Sequence, residues 1–181
     1  MKRILAVAAI AFTQVAWTAP PPPRPSVPPV KPAPTPIQPL CRDPAAVYLM
    51  SQVAVQRQDG GTIELTGQVV NRGNADFVSP ARQARVQILE SRPQGGAPIV
   101  QTDMPLDNLP AGHGMTIKAR RSWVRNVQFP PTFSLVLSYD PDILHDGNPQ
   151  NDDCNMSNNQ IDLQGAMIDH EWPNRVYGRP R

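Results

Sequence analysis

The clearest pattern along this chain is a short-range alternation of apolar and polar residues. In residues 62–69 the apolar side chains of Ile63, Leu65 and Val69 recur at the two-residue period of a strand with one buried face. The same kind of pattern recurs in five further segments, residues 47–57, 84–88, 115–119, 133–139 and 160–163. The chain therefore predicts about seven short strands.

Turn-forming residues separate these segments. Clusters rich in Gly, Asn, Asp and Pro occupy residues 59–61, 71–74, 93–96 and 111–114. No segment keeps a helical period for more than about three turns. The pattern predicts an all-β fold, namely a single immunoglobulin-like antiparallel β-sandwich over residues 40–164.

The first residues have the features of an export signal. Lys2 and Arg3 precede an apolar stretch over residues 4–12, which is the composition of a signal peptide. We expect residues 1–19 to be this signal, with two outcomes open: cleavage, or retention as a membrane tether. The expected location is secreted, periplasmic or in a bacterial cell envelope.

A proline-rich spacer follows the signal. Residues 20–39 contain 11 prolines, and proline removes the backbone donor that helices and sheets need. As a polyproline helix this spacer could extend about 60 Å. Two interpretations stay open, a stalk that carries the domain away from a surface and a disordered leader.

The charge balance bears on the class of partner. The formal net charge is +2, and it is near zero once Lys2 and Arg3 are set aside as part of the signal. A chain of this kind lacks the basic field that holds nucleic acid. The expected partner is a protein or a surface carbohydrate outside the cytoplasm, and a membrane only if the signal is retained.

The two cysteines favour a structural role. Cys41 and Cys154 lie near the two ends of the predicted domain, and in an oxidising compartment their simplest pairing is with each other. A redox or metal pair is the alternative, although the CxxC spacing is missing.

An acidic segment over residues 140–159 offers the main candidate chemistry. Its five Asp and five Asn supply the oxygen ligands that calcium prefers, although their spacing is not that of an EF-hand. The candidate calcium ligands are Asp140, Asp142, Asp146, Asn148 and Asp152. The favoured alternative is turn chemistry, in which Asp and Asn side chains bind their own backbone and no cofactor is needed.

No catalytic residue is predicted. The chain has three His, and it lacks a GxSxG elbow, a phosphate-binding glycine loop and an HExxH zinc motif. We therefore expect a protein that is not an enzyme.

The last residues, 165–181, permit two interpretations. Trp172, Arg175 and Tyr177 are residue types common in binding hot spots, which favours a docking tail. Alternatively, the tail folds back over the sandwich and buries Met167, Ile168 and Trp172.

Three segments together resemble a known family. They are residues 65–74 (LTGQVVNRGN), residues 109–112 (LPAG) and residues 140–159 leading into 160–163 (QIDL). In this respect residues 47–164 are similar to bacterial cell-adhesion-related domains of the CARDB type, which are immunoglobulin-like sandwiches. Asp152 and Asp153 stand where that family commonly has Glu, and its domains often occur in tandem. The resemblance implies adhesion or interaction outside the cell.

These observations lead to one expected function and two alternatives. The expectation is an exported, non-catalytic binding or adhesion module on a proline-rich stalk. The first alternative is a structural subunit or accessory protein of a bacterial envelope assembly. The second is a calcium-dependent or catalytic role that uses the Asp-rich loop.

Overall fold

The computed structural model describes residues 38–181, which form one unit. The predicted signal peptide and nearly all of the spacer lie outside the described residues. The elements in chain order are β1 (Pro44–Arg57), β2 (Gly60–Asn71), β3 (Phe77–Val78), β4 (Ala84–Ser91), β5 (Ile99–Pro105), β6 (Asn108–Leu109), β7 (Gly114–Val124), β8 (Thr132–Tyr139), a 3-10 turn (Met156–Asn158), β9 (Gln160–Gln164), α1 (Gly165–His170), β10 (Val176–Tyr177) and β11 (Arg179–Pro180).

Two antiparallel sheets face each other, and the all-β prediction is confirmed. The first sheet has the strand order β10-β1-β2-β7, and the second has the order β11-β9-β8-β4-β5. The short strands β3 and β6 pair separately. Within residues 38–181 the longest helix, α1, has six residues, and none is long enough to cross a membrane.

The core lies between the two sheets and follows from the alternation in the sequence. Ile63, Leu65 and Val69, predicted to point inward, are fully buried. Trp123 of the first sheet packs against Phe133 of the second, with ring centroids 6.0 Å apart. The remaining fully buried large side chains are Leu49, Phe77, Ile88, Leu106, Ile117, Leu135, Ile161 and Leu163.

A glycine in the middle of β2 lets the sheets approach each other closely. A Cβ atom at Gly67 would lie 2.8 Å from Leu135 Cδ1 and 3.1 Å from Ile117 Cγ2. Real side chains do not tolerate the shorter of these distances, so only glycine leaves room for Leu135 there.

The sandwich continues past the boundary drawn at residue 164. After β9 the chain forms α1, then adds β10 to the edge of β1 and β11 to the edge of β9. Ile168 and Val176 are buried in the core. Residues 165–181 are therefore part of the folded domain, as in the fold-back interpretation of the tail.

The two ends of the sandwich differ in character. At the disulfide end, defined by Cys41, Cys154 and the loop 140–159, β1 begins and β8 finishes. At the far end, defined by the β1–β2 turn (residues 58–59) and the loop 125–131, β7 finishes and β8 begins. A hydrogen bond from Arg125 N to Asp59 O, 3.1 Å long, links the turn to the loop.

Candidate functional site

A disulfide joins the beginning of the domain to the loop that follows β8. Cys41 and Cys154 are paired, as predicted, with Cα atoms 5.5 Å apart. The neighbouring backbones also meet, because Cys154 N donates to Arg42 O at 2.8 Å. Arg42 and Asp153 form an isolated parallel bridge beside the disulfide. The disulfide and these backbone contacts therefore anchor the long acidic loop to the start of β1.

Asn71 organises the turns at the disulfide end. Its Oδ1 accepts from the backbone N–H groups of Asp43 and Gly73, at 3.1 and 3.0 Å. Its Nδ2 donates to the carbonyls of Ala75 and Leu109, both at 2.9 Å. The residue is fully buried. The sequence places Asn71 in the LTGQVVNRGN segment but does not single it out, because two of its partners, Asp43 and Leu109, are distant along the chain.

The acidic loop is built from repeated two-residue turns. Asp146 Oδ1 accepts from Asn148 N at 2.7 Å, and Asn148 Oδ1 accepts from Gln150 N at 3.1 Å. Asp140 and Asp153 accept in the same way from the amides two residues later. Asp and Asn side chains commonly replace a backbone carbonyl in this manner. These contacts are the ones that the turn interpretation requires.

All five candidate calcium ligands lie within the described residues. Within residues 38–181, no group of three or more His, Cys, Asp or Glu side chains is placed to hold a metal ion. A hydrogen bond from Asn151 lowers the pKa of Asp146. The nearby carboxyl group of Asp140 raises the pKa of Asp142. Calcium binding by Asp140, Asp142, Asp146, Asn148 and Asp152 stays a prediction.

A buried carboxyl group lies under the acidic loop. Asp153 Oδ2 accepts from the Tyr139 hydroxyl at 2.9 Å and from Asn159 Nδ2 at 2.8 Å. Burial raises the pKa of Asp153 above its ordinary value. Burial and the adjacent Asp153 carboxyl also raise the pKa of Tyr139. The neighbouring Asn158 donates to Asp43 at 2.8 Å, so it ties the acidic loop to the residue that precedes β1.

The three candidate docking residues of the tail lie in different surroundings. Trp172 is partly buried against the core, and the Arg125 guanidinium lies 5.7 Å from its ring centroid. Arg175 is exposed. Tyr177 pairs with Met50 at the edge of the first sheet and is 54% exposed. The structure thus presents Arg175 and Tyr177 to solvent and uses Trp172 in packing.

The sequence did not predict the exposed apolar side chains at the far end. Val55, Val124, Val127 and Phe129 are exposed there although they are apolar. Val124 and Val127 line the same shallow cleft, together with Arg121 and Pro131. In the first sheet, Gly60 of β2 pairs with Arg57 of β1 on one side and with Val124 of β7 on the other, so this cleft adjoins the β1–β2 turn. Contiguous exposed apolar patches mark interaction surfaces, and among these four residues Val124 and Val127 share one cleft.

Comparison with known proteins adds no family to this description. A scan against protein-family models, a search of curated proteins and a search of solved structures each return no match. The resemblance to CARDB-type domains stays a prediction.

Proposed function

We propose that this chain is an exported, non-catalytic binding or adhesion module presented on a proline-rich stalk. The observation that carries the proposal is the group of exposed apolar side chains at the far end. Val124 and Phe129 are 62% and 53% exposed, and both lie away from the end at which the chain enters the sandwich. Apolar side chains exposed in this way are the reason that we expect a partner to bind at the far end.

The polar side chains support a role in the fold and not in chemistry. Asp146 and Asp153, the most contacted carboxylates of the acidic loop, are bound by backbone amides and by Asn side chains. Asp169, at the far end, accepts from Trp123 Nε1 at 2.8 Å and from Asn126 N at 3.1 Å. Asp146 and Asp153 hold the turns of the acidic loop, and Asp169 links α1 to Trp123 of β7 and to the loop 125–131.

Export is supported by two independent features. The first is the signal-like sequence at residues 1–19. The second is the disulfide, since such bridges persist in oxidising compartments outside the cytoplasm.

Binding assays with matched variants test the proposal. The immobilised protein is exposed to a bacterial envelope extract and to a carbohydrate array, beside a Val124→Ser/Phe129→Ser variant and a Leu144→Ser control. Leu144 is 50% exposed, similar to Phe129, but lies in the acidic loop at the disulfide end. We expect the double variant to lose the bound ligand and the control to keep it.

The identity of what binds separates the two classes of function. Capture of a carbohydrate or a host surface component through the far end supports an adhesion module. Capture of one envelope protein in equal amounts would replace it with a structural subunit of an envelope assembly. If the double variant binds as the natural protein does, the far end is not the binding surface and the proposal fails.

A further inference from the structure

One edge of the second sheet is a seven-residue outer strand with exposed apolar side chains. Among the described residues, β5 is hydrogen-bonded to β4 alone and forms the outer strand. Its one charged side chain, Asp103, is held by Arg85 at 2.8 Å. Ile99, Val100 and Met104 are 38%, 51% and 37% exposed. An outer strand with free backbone groups and apolar side chains is a template for another strand.

The other sheet edges within residues 38–181 carry protective features. The outer strand β7 exposes Lys118 and Arg120, and edge cations of this kind discourage pairing. The strands β10 and β11 have two residues each, too few to template a ladder. Among these outer strands, β5 combines seven residues and a single charged side chain with exposed apolar ones, and this combination suits it to pair with another chain.

We propose that β5 pairs antiparallel with β5 of a second copy, about a two-fold axis between Gln101 and Thr102. This register places Ile99 opposite Met104 of the second copy and Val100 opposite its Asp103. All six residues from 99 to 104 are then paired. Pro98 falls opposite Pro105 of the second copy, so both prolines, which lack an amide donor, lie at the ends of the ladder.

The side-chain faces of β5 are compatible with this register. Ile99 pairs with the buried Glu90 of β4, and Met104 pairs with the buried Val86, so both lie on the inner face of the sheet. Residues directly opposite in an antiparallel pair share a face, and Ile99 and Met104 therefore form an apolar pair. No charged residue of β5 lies opposite a like charge.

The bulge in β5 is also accommodated. β5 has one extra residue, Gln101, between the pairs Leu89–Val100 and Ile88–Thr102. In a two-fold arrangement each strand brings the same bulge to the axis, so neither strand has an unmatched residue. The proposed dimer extends the second sheet without a break, and it is independent of what the far end binds.

Substitution of Val100 by residues of opposite charge tests the proposed register of the two β5 strands. The full chain is expressed, and the purified protein is compared with its Val100→Asp and Val100→Lys variants by sedimentation equilibrium. The Asp variant places a carboxylate opposite Asp103 of the second copy, twice by symmetry, and we expect dimer affinity to fall about tenfold or more. The Lys variant meets the same carboxylate with a favourable charge and should keep or strengthen the dimer.

The same two changes at the end of β7 serve as controls. Val124→Asp and Val124→Lys should leave the dimer affinity unchanged, and thermal melting of all four variants establishes that they fold. A monomer at every soluble concentration would overturn the proposal and leave β5 to an extended segment of a different protein. Equal weakening by Val100→Asp and Val100→Lys would overturn the register, and loss of the dimer with Val124→Asp would place the interface elsewhere.

Discussion

At the scale of single residues, the polar side chains at the disulfide end have roles that depend on distant partners. Asn71 reaches Asp43, 28 residues earlier, and Leu109, 38 residues later. A local pattern cannot reveal such a set of contacts, because the sequence around Asn71 has the composition of an ordinary turn. Asp153 likewise looks like one of several loop carboxylates, and only the packing of the loop buries it.

Removal of the Asn71 side chain should destabilise the domain. We expect Asn71→Ala to lower the free energy of unfolding by about 2–4 kcal/mol, because it leaves buried backbone groups without partners. The exposed Asn74, whose side chain bonds Cys41 N and Pro39 O, provides the control, and Asn74→Ala should cost about 1 kcal/mol or less. Urea denaturation measures both, and equal losses would contradict the role assigned to Asn71.

The buried Asp153 carboxyl should make stability depend on pH. Because burial raises its pKa in the folded state above the ordinary 3.8, the folded protein binds this proton more tightly than the unfolded chain does. The contribution of Asp153 to stability is therefore complete below that ordinary value and is lost as pH rises through the folded pKa.

A comparison with Asp153→Asn isolates this contribution. As pH falls from 7 toward 4, the natural protein should gain unfolding free energy relative to the variant. Urea denaturation of both proteins across this pH range gives the difference. A difference that stays constant with pH would show that the pKa of Asp153 is the same in the folded and unfolded states, and one that moves toward the variant would show that folding lowers it.

At the scale of elements, the five predicted segments and residues 62–69 all occur as strands, but β5 was missed. The reason is the bulge at Gln101, which breaks the two-residue period that marks the other strands. The strands β10 and β11 have two residues each, too few to carry any period.

The packing of β10 can be tested at two adjacent residues. Val176 is 4% exposed and Tyr177 is 54% exposed. Val176→Ala should lower the free energy of unfolding by about 1–3 kcal/mol because it leaves a cavity, whereas Tyr177→Ala should change it by about 0.5 kcal/mol or less. Thermal or urea unfolding measures both changes. If neither variant lowers the free energy of unfolding, residues 165–181 do not pack against the domain and the docking-tail interpretation is favoured.

The acidic loop should hold its conformation without calcium. Asp140, Asp146 and Asp153 each accept a hydrogen bond from the backbone amide two residues later, so the turns of the loop are held by the chain itself. We expect millimolar calcium to leave the melting temperature unchanged, since a ligand stabilises only the state that binds it. A rise in melting temperature that Asp140→Asn/Asp142→Asn abolishes would instead establish the calcium site.

At the scale of the whole molecule, the disulfide links residues 113 positions apart. It closes a loop that contains the strands β1 to β8. On the chain-entropy model, a cross-link of this span restricts the unfolded chain and stabilises the folded state by about 4–5 kcal/mol.

Loss of the bridge should therefore lower stability without changing the fold. We expect Cys41→Ser/Cys154→Ser to reduce the free energy of unfolding by up to about 4 kcal/mol, while the far-ultraviolet circular dichroism spectrum keeps its β character. Urea denaturation of the oxidised protein and the double variant gives the difference. An unchanged midpoint would mean that the bridge is dispensable for stability.

The sequence by itself determined the all-β class, the buried face of residues 62–69 and the pairing of Cys41 with Cys154. These features depend on short-range periodicity, or on the presence of two cysteines alone. The tertiary structure decided which strands are edges, how residues 165–181 complete both sheets and which polar side chains are buried. Those features depend on contacts between residues far apart in the chain, and a local pattern carries no information about them.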